Sequence, residues 1–582
     1  MESATVTPEV GSDGRSNQSD TRVSLRVGHI VLTAGLLFYL LVAMGLRHFP
    51  YQDTPNHLAR YVLISKALFG ASRPDVVFRL LPTSYIALDL VGATLVRFIG
   101  TGATHYFVVT LAVALPTIGL YALLRRVAPE RSNWAIAAVL FGFSWYVLDG
   151  LLSYVIGVGL AFVWLACWWP RRRTRAWSTR LALAAGILIL FTVHLSAPLI
   201  VLVVVWIDAA YELRFASARR PWRSVLLAEG ATALLLAAAV GLLWAWVETR
   251  MPAGTSGMTD LEFRIPLMKL LAFAAPFYSF SLAQACVMML AYATIVVAFV
   301  LANRRALRMN SLVVSACAFF VLFLIFPKNV GSAGGVDVRW LLPALLLPFC
   351  ASSSHEVTRP SDSQNRALLV ALGACVVSGA LIGWQAHTRD PLLDDFDRVL
   401  SEVPVGARLL PIVSDGHPNP RVGTYQEYAF WHIIRRDGFV PGLFSYYGSR
   451  LGDDPFPHFA HFTIRRSYQP PYQWGVTTFS PLDWQSIDQE YDYIVQAGND
   501  DGVRAYLAQH ATLIARTGAV TLFRVAPPHE SRARATGFAL SRVWVAGAAP
   551  PRECGRAGAR APGERATVIP WRASRSRRDC TG

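Results

Sequence analysis

Charge is what this sequence has least of. Charged residues make up 16% of its 582 positions, where an ordinary soluble chain carries about 25%. Only three of the 54 basic residues are lysine (Lys66, Lys269 and Lys328). Metal-binding cysteine patterns are missing as well. No CxxC pair and no Cys/His cluster occurs, which argues against a structural zinc site. Cys167, Cys286, Cys317, Cys350 and Cys375 lie in apolar segments, and Cys554 and Cys580 lie near the C-terminus. The stretch 388–529 has no cysteine and so carries no redox signature. The first 22 residues are polar and lack the apolar core of a cleavable signal, so they read as a cytoplasmic tail. A folded basic module is also lacking, which excludes a nucleic-acid partner in spite of the net charge of +16. Half of that excess falls in Ser531–Gly582, where eleven arginines face three acids (Glu553, Glu564 and Asp579). This Arg/Ala/Gly/Pro-rich tail, 530–582, has the composition of a disordered extension.

Apolar residues are present in excess. They make up 53% of the chain, and the mean hydropathy is +0.38. Apolar segments fall near 27–46, 104–124, 133–148, 151–169, 181–194, 197–213, 225–247, 283–302, 311–326, 340–355 and 367–386. Most approach the roughly 20 residues that a bilayer requires. The expected fold is an α-helical polytopic membrane protein of about 11 transmembrane helices, with a C-terminal α/β domain outside the cytoplasm. The 181–213 pair is short and reads as a tight hairpin at His194–Pro198.

Basic clusters fix the expected sidedness. They occur at Arg125/Arg126/Arg131, at Arg171–Arg173, at Arg214/Arg219/Arg220 and at Arg304/Arg305/Arg308. Placing them in the cytoplasm puts the N-terminus (1–26) inside. The first outer loop is then 47–103, and everything after 387 lies outside. Segment 84–99 carries Asp89 and Arg97 and is expected to lie along the outer interface without crossing. Near-exclusive use of arginine fits GC-rich bacterial coding, and with it a bacterial plasma membrane.

Composition shifts at about 388. A helix at 392–402, strands at 408–413 and 491–496, a helix at 501–509 and a hairpin over 511–525 read as a small α/β domain, 388–529. The stretch 417–480 is rich in Tyr, Phe, Trp, His and Pro. Such loops stack on sugar rings, lie on a membrane surface, or simply pack.

The candidate chemistry clusters at the outer ends of apolar segments. Phe49-Pro-Tyr-Gln-Asp-Thr-Pro-Asn-His-Leu-Ala-Arg60 follows the first span directly. Asp53 reads as an N-cap with Pro55 in the first turn. Asp53, His57 and Arg60 then share one helical face. An acid, an imidazole and a guanidinium suit deprotonation of an acceptor and capture of an anionic group. They equally suit a capped amphipathic helix with a solvated polar face. Asp149-Gly150 occupies the next outer turn, as a second acid or as a turn cap. His194 sits at a third outer end, as a ligand or as a satisfied structural residue. The loop Pro327–Trp340 offers Lys328 and Arg339, which suit a lipid phosphate or interfacial anchoring, with Asp337 placed to orient or balance Arg339. A coupled transporter would place charges at the midplane and break its helices, and neither shows in the sequence.

These residues resemble the GT-C superfamily of integral-membrane glycosyltransferases. Asp53 in Tyr51-Gln-Asp-Thr-Pro-Asn-His57 stands where that family has an acid after its first span, and Asp149 stands where it has a second. Arg339 is similar to its late basic residue. The resemblance spans roughly 27–529 and is architectural, with only Asp53–Arg60 motif-like. It implies a polyprenyl-phosphate sugar donor, a lipid or glycan acceptor, and transfer to a hydroxyl at the outer face, with inversion. Asp53 would be the base with Asp149 and His57 beside it. Arg339 and Lys328 would hold the phosphate, and Arg60 and His194 would bind substrate. A divalent metal (Mg or Mn) at Asp53/Asp149 stays open, and no other cofactor is expected. The alternative is a non-catalytic envelope scaffold or a lipid or polysaccharide transporter.

Overall fold

The computed structural model describes residues 14–48, 52–70, 73–172, 176–215, 261–304, 307–330, 334–351, 362–414, 425–445, 459–468 and 482–525, apart from a few single positions. The expected span at 225–247, residues 530–582 and much of 417–480 lie outside the described residues. Six described helices are long and apolar enough to cross a membrane. The long helices are α1 (Gly14–Gly45), α2 (Thr54–Phe69), α3 (Ile86–Val127), α4 (Leu152–Trp168), α5 (Trp177–Val193), α6 (Ser196–Phe215), α7 (Leu282–Asn303), α8 (Ser311–Ile325), α9 (Asp362–His387) and α10 (Asp390–Ser401). Helix α1 begins at Gly14, inside the stretch expected to be a polar cytoplasmic tail.

Helix α3 joins two expected pieces. Gly100 lies inside it at φ 80°, ψ 167° and turns the chain between 86–99 and the remainder. The first piece therefore takes its own direction, and its Asp89 is fully buried among protein groups. Helices α3 and α4 pack closely because two glycines face each other. A Cβ on Gly159 would sit 2.6 Å from the Leu115 carbonyl carbon, and one on Gly119 would meet the Gly159 carbonyl. Small residues let membrane helices approach in this way.

Two apolar segments are not regular helices. The expected span 133–148 runs as short turns: Pro129–Ala135, Ile136–Val139, Leu140–Phe143, an extended Ser144, then Trp145–Leu148. The segment after Arg339 breaks similarly into Val338–Trp340, Leu341–Leu346 and Leu347–Cys350. Trp134, Ile136, Phe141, Phe143, Leu342 and Leu346 are buried in protein. Irregular backbone at membrane depth is tolerated where protein surrounds it, which corrects the expectation of unbroken helices.

The C-terminal part contains a four-stranded sheet in the order β4 (Leu409–Val413), β6 (Tyr493–Ala497), β8 (Val520–Val525), β7 (Ala511–Thr517). The β4/β6 pair is parallel and the others are antiparallel. The β7–β8 hairpin turns at Gly518, φ 55°. Helix α10 packs on β7 and β8. Its Leu393, Phe396, Val399 and Leu400 form the buried stripe.

This sheet region interlocks with the loop that follows α1. Strand β1 (Val76–Phe78) pairs antiparallel with β5 (Phe462–Ile464). Lys66 bridges to Asp437 at 2.7 Å, and Arg47 to Asp394 at 2.7 Å. The Asn56 amide donates to the Gly442 carbonyl, and its oxygen accepts from the Phe444 N–H. A short pair of β2 (Leu261–Glu262) and β3 (Asn329–Val330) lies elsewhere in the fold.

Candidate active site at the Asp53 end of the bundle

Asp53 precedes α2, with Pro55 in the first turn as the sequence suggests. Its backbone is already helical at φ −39°, ψ −12°, and its side chain makes no capping hydrogen bond. The expected N-cap therefore holds by position only, and the carboxylate is not spent on the helix. The Asp53 N–H donates to the Asp149 carbonyl at 3.3 Å. Gly150 makes this contact sterically feasible. It sits at φ 84°, and a Cβ there would lie 2.6 Å from the Asp53 Cβ. Both acids are partly exposed while their surroundings are buried.

Tyr85 stands beside this pair. It is one of two described non-glycine residues with positive φ, at 80°. A bulky residue held there is strained, and such strain collects at functional sites. Its ring lies 5.2 Å from that of His194 and 4.8 Å from that of Phe459. Burial pushes the Tyr85 hydroxyl pKa up, Arg339 and Arg60 pull it down, and the Asp53 carboxylate adds a smaller upward push. These four charged or polar side chains thus act within one electrostatic neighbourhood.

Arg339 is held by its main chain. The Tyr154 hydroxyl donates to the Arg339 carbonyl at 2.5 Å, and Tyr146 donates to the Val338 carbonyl at 2.5 Å. Tyr154 also packs 5.6 Å from His194. The Arg339 guanidinium donates to the Gly334 carbonyl at 3.0 Å. Its Nε is buried with no hydrogen-bond partner among the described residues. Asp53 is thus joined to Asp149 through the backbone, and His194 packs on Tyr85 and on Tyr154, whose hydroxyl reaches the Arg339 carbonyl. Helix α4 then carries the chain away from this end to Trp168, about 25 Å at 1.5 Å per residue.

Other expected residues are engaged elsewhere. Lys328 pairs with Glu262 at 2.9 Å on the β2/β3 strands. Asp337 does not balance Arg339. It is fully buried and takes Arg264 at 2.9 Å and Lys269 at 2.8 Å. Arg60 is nearly fully buried, and its guanidinium is held by Asp89 and His57. The alternative of a solvated polar face on α2 is not met, since His57 and Arg60 are both buried. His194 carries a local structural load as well, since its Nδ1 accepts from the Ser196 N–H at 3.1 Å at the start of α6.

Tyr85, Tyr154, Asp89 and His461 were not singled out as site residues by sequence reasoning. Asp89 left one usable signal. A carboxylate in an apolar segment needs a cationic partner, and Arg60 was available in the same loop. Among the described residues no three His, Cys, Asp or Glu side chains converge. A divalent cation at Asp53 and Asp149 would therefore find no third such ligand among the described residues.

No protein-family model matches the chain, and no curated protein matches it in sequence. Among solved structures the chain is similar to ArnT from Cupriavidus metallidurans, bound to undecaprenyl phosphate and in the apo state. Identity is 13% in each case. The match covers 86% of this chain and 99% and 98% of those chains, with a TM-score of 0.49.

Proposed function

We propose that this protein is a membrane glycosyltransferase of the GT-C kind, moving a sugar from a polyprenyl-phosphate donor to an acceptor hydroxyl at the outer face of the membrane. The observation that carries the reading is the locked contact of Asp53 with Asp149–Gly150, with Arg339, Tyr85 and His194 around it. It unites two partly exposed acids and a cation at the end of an apolar helix bundle.

In the proposed reaction the acceptor hydroxyl gives its proton to the Asp53 carboxylate. Its oxygen forms a bond to the anomeric carbon as the bond from that carbon to the phosphate oxygen breaks. The electron pair leaves on polyprenyl phosphate, whose growing charge Arg339 neutralises. A single displacement inverts the anomeric centre. Lys328 would serve the phosphate only by giving up Glu262. A divalent metal at the acid pair would add charge stabilisation, and no step above depends on it.

The broken segments 129–148 and 338–350 favour a second reading. Transporters line their paths with interrupted helices. Purified protein incubated with a panel of polyprenyl-phosphate sugars and a crude envelope acceptor separates the two. Release of polyprenyl phosphate with a glycosylated product supports transfer. Movement of intact donor across a vesicle without release supports transport.

A further inference from the structure

Five buried side chains form one hydrogen-bonded chain. Thr83 Oγ1 and His461 Nδ1 lie 2.5 Å apart, and His461 Nε2 lies 2.6 Å from Asp89 Oδ2. Asp89 receives Arg60 twice, from Nε at 2.8 Å and from Nη2 at 2.7 Å. Arg60 Nη2 also lies 2.9 Å from His57 Nδ1. Thr83, Asp89, Arg60, His57 and His461 are all nine-tenths buried or more. The chain ends one helical turn from Asp53, whose carbonyl accepts the His57 N–H at 2.9 Å.

The proton positions follow from donor chemistry. A guanidinium has only donors and keeps its proton in proteins. His57 Nδ1 must therefore be the acceptor, and the imidazole proton sits on Nε2. Likewise the Asp89 carboxylate accepts, so His461 Nε2 donates. Asp89 in turn fixes the Arg60 fork bidentately, which sets where Nη2 points. The arrangement spans the loop after α1, the start of α3 and the sheet region.

We propose that Arg60 locks His57 in its Nε2–H form, so that His57 serves the site as a hydrogen-bond donor and not as a second base. Arg60, Asp89 and His461 are the positioning residues. The tautomer assignment stands on geometry alone, while the donor's target, an oxygen of the sugar or acceptor, rests on the transferase reading above. This departs from the sequence-based expectation that placed His57 beside Asp53 as base.

The test uses full-length protein labelled with ¹⁵N-histidine in nanodiscs at neutral pH. The 13 histidines are resolved by difference, with His57→Gln removing the resonance of interest. Wild type should show His57 with Nδ1 unprotonated and Nε2 protonated. His461→Gln, whose amide still donates to Asp89, should leave that signature in place. Asp89→Asn should loosen Arg60 and produce a mixture of tautomers. Should the Asn variant fail to fold, Arg60→Lys makes the same test, because an ammonium lacks the fork. A wild-type signal with the proton on Nδ1, or a signature unchanged in both Asp89→Asn and Arg60→Lys, overturns the lock. In the polyprenyl-phosphate release assay His57→Gln, which keeps a donor near Nε2, should lose only part of the activity. His57→Asn should fall roughly tenfold or more. Equal loss in both overturns the donor role. Absence of release in wild type refutes the transferase reading and leaves the tautomer result standing.

Discussion

The Asp53 N–H meets the Asp149 carbonyl oxygen at 3.3 Å, and Gly150 is the hinge that allows it. Two acids far apart in sequence are thereby held at one end of the bundle. The contact fixes the two main chains against each other, and positioning of this kind is what acid–base chemistry needs.

Gly150→Ala tests this contact. The residue sits at φ 84°, and the added methyl would fall 2.6 Å from the Asp53 Cβ. Backbone strain and overpacking should together destabilise the protein by roughly 1–3 kcal/mol. A shift of Asp53 by an ångström should also reduce transfer by about a hundredfold. Thermal unfolding in detergent and the release assay read the two effects. A variant with wild-type stability and activity would show that the contact is dispensable.

His432 gives the sheet region a pH dependence. It is buried, and its Nε2 donates to the Ala407 carbonyl at 2.9 Å. Burial holds its pKa below the ordinary imidazole value, with Arg436 and Arg73 adding to that shift and the Ala407 contact opposing it. As pH falls below about 6.5, the unfolded chain therefore binds the proton first. Stability is fully present above that pH and declines as pH drops towards the lowered folded value. Unfolding temperatures measured from pH 8 to pH 5 should fall at the acidic end, and His432→Gln should flatten that part of the curve. An unchanged acid slope in the variant would assign the effect to other groups.

The expected sidedness can be measured at Leu513, which is exposed on β7. Gly150 is buried and unsuited to labelling. With the seven native cysteines replaced, Leu513→Cys should react with an impermeant maleimide on intact cells or spheroplasts. Labelling only after lysis would place the sheet region in the cytoplasm and remove an outer-face reaction.

Much of the candidate site was legible because polar residues at the ends of apolar runs are conspicuous. Asp53, Asp149, His194 and Arg339 were found that way. The α/β elements were legible too, since 390–401, 409–413, 493–497, 501–510 and the 511–525 hairpin all follow short-range patterns. What escaped depended on distant partners. The buried bond of Asp89 to His461 joins positions 372 residues apart. Lys328 looked available for phosphate because its partner, Glu262, lies 66 residues away. The breaks within 134–148 were hidden by a nearly continuous apolar composition. A segment wrapped in protein and one wrapped in lipid need the same residue types, and only packing distinguishes them.

The central claim is that Asp53 removes the acceptor proton during transfer. The direct measurement is the rate of polyprenyl phosphate release by wild type and by Asp53→Asn, followed by mass spectrometry with a donor that wild type accepts. The substitution keeps size and shape but removes the base, so release should fall by about 10²–10⁴-fold with folding intact. Equal rates in the two proteins would contradict the assignment and move the chemistry away from Asp53.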